Sequence, residues 1–163
     1  LVGSAYTRNS AYKFGYFVAK LNAISMKNKP AKLIERCSFK SYAKKFPNGN
    51  WLTHDEEIFA RYVSDPYCGH SFPYSFYRSF FGGVLNNYKK VDGIRKDIKI
   101  LIVSGDEDPV GSKGKLTSKL YEFYKKHGLF VAYKLYPGGR HEILNETDKE
   151  FVYLDIINII KEI

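Results

Sequence analysis

IKILIVSGDEDP, residues 98–109, is the stretch on which the reading of this chain turns. Ile100-Leu101-Ile102-Val103 is a continuous, largely β-branched apolar run. It breaks at Ser104-Gly105 and ends in three acids, Asp106, Glu107 and Asp108, closed by Pro109. Such a run, bounded by a Gly turn, reads as a strand over Ile98–Val103 that is buried on both faces. In open α/β sheets the carboxyl ends of such strands carry the chemistry.

Working outward, the period changes to helical over Ser112–His127. Leu116, Leu120, Phe123, Tyr124 and His127 share one face there, and Gly128 stands as a C′ stop. Phe130–Tyr136 reads as the next strand. Strand, helix, strand makes a right-handed βαβ unit with parallel strands. The second strand leads into Tyr136-Pro137-Gly138-Gly139-Arg140-His141-Glu142. An acid after one strand and a His after the next is the second half of a Ser-Asp-His arrangement. Thr147 and Glu150 then read as a capping box. It opens a last helix, about Asp148–Ile163, that buries Phe151, Leu154, Ile157 and Ile160 or their neighbours against the sheet.

Upstream, Leu1–Ala5 reads as the tail of a strand, with Tyr6–Ser10 as loop. Helical patterns follow. In 11–30, Phe14, Phe17, Val18, Leu21 and Ile24 recur at helical spacing up to Asn28-Lys29-Pro30. A weaker pattern fills Ala31–Phe46 and ends in the turn cluster Pro47-Asn48-Gly49-Asn50. Thr53 with Glu56 reads as a capping box before a helix carrying Ile58, Phe59, Tyr62 and Val63. A loop over 67–75 leads to a helix over 76–90 with Phe76, Phe80, Val84 and Leu85 as its stripe. The expected organisation is therefore 1–10 as the end of a core strand and loop, 11–90 as a helical insertion, and 91–163 as α/β core.

Composition sets limits. The chain has 163 residues, 44% hydrophobic and 17% aromatic, which is globular and long enough for a core. The net charge of +9 raises a nucleic-acid or anionic-membrane reading. The lysines are scattered, however, in pairs such as Lys44-Lys45, Lys89-Lys90 and Lys125-Lys126, with no nucleic-acid-binding signature. Solvated faces explain them, and a positive surface would also favour transient contact with an anionic lipid interface. Cys37 and Cys68 stand far apart and form no metal-spaced pair, which points to a reducing compartment or to indifference to redox; a cytoplasmic setting is expected. No stretch approaches the ~20 apolar residues of a membrane span.

SGDEDPVG (104–111), YPGGRHEILNE (136–146) and NWLTHDEEIFARYVSDPYCG (50–69) together resemble the monoacylglycerol lipase/lysophospholipase-like serine hydrolases of the α/β-hydrolase family. The resemblance covers most of the chain. It implies the α/β-hydrolase fold: here the C-terminal part of a mostly parallel sheet, with 11–90 as an inserted helical cap that shapes the acyl pocket. It implies a carboxylic ester hydrolase acting on an apolar acyl chain, as in a monoacylglycerol or lysophospholipid. No metal or organic cofactor is implied.

The family pattern G-x-x-D-P-V falls on Gly105–Val110 and makes Asp108 the triad acid, with Asp106 as its rival and Glu107 solvated. His141 becomes the base, and Glu142 orders its loop. His54, His70 and His127 are weaker candidates. Gly69-His70-Ser71-Phe72-Pro73 imitates a nucleophile elbow. It lacks the preceding strand, and Pro73 stands where the elbow needs Gly, so Ser71 is set aside; Ser4 lacks a following Gly. The nucleophile, most of the oxyanion hole and the remaining N-terminal half of the hydrolase are expected outside this chain. Two other classes stay in play. One is an α/β-hydrolase-like binding protein without hydrolysis, which an intact Asp108 and His141 argue against. The other is a basic surface-interaction module, which predicts clustered lysines and salt-sensitive binding. The hydrolase reading requires Asp108 within hydrogen-bond reach of His141 at the carboxyl edge of the sheet.

Overall fold

A computed structural model describes residues 1–162. In chain order the helices are α1 (Ser10–Ser25), α2 (Lys32–Cys37), α3 (Phe39–Ala43), α4 (Glu56–Ser64) and α5 (Tyr74–Asn86). Strand β1 (Lys99–Gly105), α6 (Lys115–Lys126), β2 (Phe130–Tyr136) and α7 (Lys149–Glu162) follow. Two compact units form. The first holds Leu1–Tyr6, Asn50–Asp65 and Gly93–Ile163; the second holds Thr7–Gly49 and Pro66–Asp92. Within the stretch 11–90 that the sequence marks as an insertion, residues 50–65 group with the first unit.

In the first unit β1 and β2 pair in parallel, Lys99 against Phe130 through Gly105 against Tyr136. The β-branched run favours a pleated, buried surface, and β1 continues two residues beyond the expected Val103, so Ser104 and Gly105 belong to the strand. Leu1–Gly3 lies along β1 as a short parallel bridge of Val2 to Val103, with Gly3 N–H donating to Val103 O. Side chains alternate across the sheet. Val103 meets Tyr136, Ile143 and Val152, with Leu101, Leu144 and Ile156 packed around them. Ile102, of opposite parity, is fully buried, and α6 contacts both strands.

Helix α6 buries Leu120 and half-buries Leu116, Phe123, Tyr124 and His127, the expected stripe. Gly128 follows it at φ +70. The helix starts three residues later than expected, because Ser112, Lys113 and Gly114 all take positive φ. Helix α7 differs more. Val152 is buried and Asp155, Ile156 and Ile159 are half-buried, while Phe151, Leu154, Ile157 and Ile160 are exposed. The helix is apolar nearly all round, so two i, i+3 stripes compete and the neighbours of the expected residues take the inner place. Asp155 ties α7 to β2: Lys134 Nζ and the Tyr136 hydroxyl both donate to its carboxylate, at 2.8 and 2.6 Å.

Helix α4 is capped by Asp55, not Thr53. The Asp55 carboxylate accepts from Glu57 N–H and Ile58 N–H, the N-cap pattern. Thr53 is buried, donates to Asn145 O at 2.6 Å and accepts from Asp55 N–H.

In the second unit α1 and α5 pack against each other. The core is Ala19, Ala23, Ala31, Ile34, Tyr74 and Tyr77, joined by Val18 and Phe81. The stripe expected on α1 is not the buried one: Phe14, Phe17, Leu21 and Ile24 are exposed. Small residues win because they admit the aromatic rings of α5. A Cβ on Gly15 would lie 2.8 Å from the Phe81 ring. Phe76 and Phe80 of α5 are likewise exposed, and Tyr74 and Tyr77 point inward instead. Burial and the neighbouring Glu35 push the Tyr77 hydroxyl up to about 12.

Candidate active site

The first unit gathers the polar clusters that follow its two strands. β1 ends at Gly105 and the chain turns. Lys113 N–H donates to Asp108 O, which closes the turn. Inside it the Asp108 side chain is fully buried. One carboxylate oxygen accepts from Val110 N–H at 2.8 Å and lies 3.1 Å from His141 Nδ1. The other accepts from Ser104 Oγ at 3.2 Å. A buried carboxylate is tolerable only when paired and hydrogen-bonded, and Asp108 meets that condition with three partners.

Asp106 and Glu107 behave differently. Asp106 accepts from Gly138 N–H at 2.7 Å and so clamps the loop after β2. Glu107 is 45% exposed in its side chain and lies 4.0 Å from His54 Nε2. All three acids lie in the turn beyond Gly105, and that turn, closed by Lys113 N–H on Asp108 O, aims them at different partners. Of the three acids, Asp108 is the one that reaches His141.

His141 follows β2 across Pro137-Gly138-Gly139-Arg140, and its side chain is 27% exposed. Its ring lies against Trp51, with centroids 5.3 Å apart. Two glycines permit the approach of the loops. A Cβ on Gly105 would stand 1.8 Å from Gly139 O, so the strand end and the His loop touch backbone to backbone. A Cβ on Gly3, at φ +55, would stand 3.0 Å from His141 O and 3.1 Å from its ring. A proton held on Nδ1 toward Asp108 leaves Nε2 as the basic atom. That is the tautomer a general base requires.

The loop carrying His141 is fastened by a second carboxylate, which sequence reasoning missed. Glu146 is buried. It accepts from His54 N–H and Arg140 N–H, both at 2.7 Å, and its oxygens lie 3.1 and 3.2 Å from His54 Nδ1. Arg140 Nη1 donates to Asn50 O and Thr53 O at 2.7 and 2.9 Å, and Glu142 N–H donates to Leu52 O. Glu142 itself accepts from Asn145 Nδ2, a bond within its own loop. Ser104 and Trp51 were also missed. Ser104 reads as a turn residue, and Trp51 as one aromatic among many.

The other candidates have other partners. Ser71, in the second unit, donates to Glu35 at 2.8 Å, and α5 follows it with no strand before it. His127 bonds Phe123 O at the end of α6. Ser4 Oγ donates to Val2 O. Among the described residues no group of three or more His, Cys, Asp or Glu side chains stands together as a metal site. No helix among them is long and apolar enough to cross a membrane.

Comparison with known proteins agrees with the topology. The chain is similar over its whole length to a highly thermostable carboxyl esterase from Bacillus coagulans, solved in complex with glycerol (TM-score 0.80, 23% identity). A lipase solved in its open form matches 99% of the chain (TM-score 0.77, 19% identity). The monoacylglycerol lipase of Paleococcus ferrophilus matches 95% (TM-score 0.63, 17% identity). The chain spans 56%, 56% and 53% of the length of these three proteins. No curated protein matches it. The model of the Hydrolase_4 family, described as serine aminopeptidase, S33, matches residues 7–148. With most of its length matched by that model and an α/β-hydrolase topology in its strands and helices, the chain belongs to this family of α/β-hydrolases.

Proposed function

We propose that this chain is the cap and C-terminal half of a serine hydrolase that cleaves carboxylic esters with an apolar acyl chain, of the monoacylglycerol or lysophospholipid type. The single observation that carries the reading is the buried Asp108 carboxylate 3.1 Å from His141 Nδ1. Asp108 is the triad acid and His141 the base. The serine and most of the oxyanion donors belong to the part of the related enzymes that this chain does not span. The serine oxygen attacks the ester carbonyl, and His141 Nε2 takes its proton. Asp108 holds the imidazole tautomer and stabilises the imidazolium without itself becoming protonated. The proton passes to the leaving alcohol, and an acyl-serine remains. Water then attacks with His141 as base, releasing the fatty acid and restoring the serine. No metal or organic cofactor enters this scheme. The substrate is a small lipid ester. Residues 11–90, apart from the stretch 50–65 that groups with the first unit, serve as the cap, and the charge of +9 favours brief contact with anionic lipid surfaces. The cytoplasm is the setting that suits its two cysteines, Cys37 and Cys68.

The test is carried out on the full-length protein. A fluorophosphonate probe should label one serine, and monoacylglycerols or p-nitrophenyl acyl esters should be hydrolysed faster than aminoacyl amides. His141→Ala should abolish turnover and labelling while leaving the circular dichroism spectrum unchanged. Turnover near wild type in that variant would remove His141 as the base. A preference for aminoacyl amides would replace the esterase reading with a peptidase one. An unlabelled wild type would favour a binding protein.

A further inference from the structure

We infer that Glu146 is a positioning residue for the base, acting through a strap formed by residues 50–54. The inference rests on the reading of His141 as that base. The strap is far from His141 in sequence, yet Trp51 supplies the surface against which the His141 ring lies. Something must hold Trp51 there, and Glu146 is built to do it. Its carboxylate is buried, and each oxygen takes one short backbone N–H bond from a different segment. One comes from His54 on the strap and the other from Arg140, the residue before the base. One side chain therefore couples the two backbones between which the imidazole is held. Thr53 adds a third link, with Oγ1 3.3 Å from the same carboxylate and 2.6 Å from Asn145 O. Arg140 returns the tie to Asn50 O and Thr53 O.

The chemistry requires a carboxylate rather than a polar side chain of the same shape. Both partners of its two oxygens are obligatory donors. A glutamine in this place offers one oxygen and one amide NH2. Whichever way the amide turns, one backbone N–H faces another donor and loses its acceptor. The strap or the base loop is then released, and Trp51 no longer fixes the imidazole plane over Asp108.

The experiment compares Glu146→Gln and Glu146→Ala with wild type, well below each melting midpoint. The first readout is the His141 Nδ1 proton, followed by NMR of ¹⁵N-histidine-labelled protein. In wild type it should be protected from solvent exchange by Asp108. In Glu146→Gln that protection should fall by about tenfold or more, the effect of one lost charge-assisted bond. In the full-length enzyme kcat should fall with it, by about tenfold in Glu146→Gln and about a hundredfold in Glu146→Ala, as misplacing a reacting group by about an ångström does. KM should hold, since the strap acts on the base. A lowered melting midpoint with the Nδ1 proton and kcat both unchanged would reduce Glu146 to a purely structural role and overturn the inference. Glu146→Gln keeps volume and hydrogen-bonding shape, so a failure of Glu146→Ala to fold leaves the question decidable. A wild type without turnover would defeat the hydrolase reading, while the NMR comparison would still decide whether Glu146 orders the His141–Asp108 pair.

Discussion

Gly105→Ala adds a single methyl group where β1 runs out, and the structure gives the size of the disturbance. The new Cβ would lie 1.8 Å from Gly139 O, 2.1 Å from Gly139 C and 2.6 Å from Arg140 O. All three are backbone atoms, so no side chain can swing aside. Ordinary contact begins near 3.4 Å, and the segment 139–140 must therefore retreat by about 1.6 Å. His141 is the next residue. A shift of half that size carried into its ring stretches the 3.1 Å contact with Asp108 beyond hydrogen-bond reach. Overpacking of this kind costs about 1–3 kcal/mol, which a domain of this size survives. A misplaced base costs about a hundredfold in rate. The expected result is a folded protein with a melting midpoint lower by several degrees and kcat down about a hundredfold in ester hydrolysis by the full-length enzyme. Full activity in Gly105→Ala would refute the claim that the backbone contact at Gly139 sets the position of the base.

Three further outcomes are expected. Asp108→Asn should lower kcat by about 10⁴-fold, because an amide no longer fixes the His141 tautomer. Asp106→Asn should cost far less, since Asp106 serves Gly138 N–H; equal losses, measured as kcat/KM, would exchange the two assignments. Asp155 is held below the usual carboxylate range, first by the Lys134 ammonium and then by the Tyr136 hydroxyl. A depressed folded value means that its contribution is complete above about pH 4, the unfolded range, and disappears as pH falls through the lowered folded value. Asp155→Asn should therefore lower the melting midpoint near neutrality and flatten its decline on acidification. Parallel melting curves from about pH 2 to pH 6 would contradict this.

The parts of the fold that were readable from sequence were those with one dominant signal. The run Ile100–Val103 and the partition of α6 into an apolar stripe and a lysine-rich back face each have a single reading. Position past a strand left three acids and an ordinary loop His; the family resemblance singled out Asp108 and His141, and they stand 3.1 Å apart. The errors have a common cause. Helices α1, α5 and α7 are apolar on several faces, so periodicity offered two stripes. Close packing then chose small or neighbouring residues, such as Ala19 and Ala23 on α1 and Val152 on α7. Thr53 satisfied a capping pattern but was claimed by Asn145, and Asp55 took the cap. Ser104, Trp51 and Glu146 could not be read at all. Their roles depend on which backbone comes near, and Glu146 meets its His54 partner across 92 residues of chain.

The parallel pairing of β1 with β2 also bears on the order in which the molecule assembles. Asp108 and His141 are 33 residues apart and are joined by one helix and one strand, α6 and β2. Leu1 N instead reaches Leu101 O across 100 residues. Closure entropy rises with the logarithm of loop length, so the longer loop costs about 1 kcal/mol more to close. The acid and base are thus the nearer pair in sequence, and their loop closes at the smaller entropic cost. Chain entropy favours bringing this pair together within its own βαβ unit before the first residues return to line the sheet.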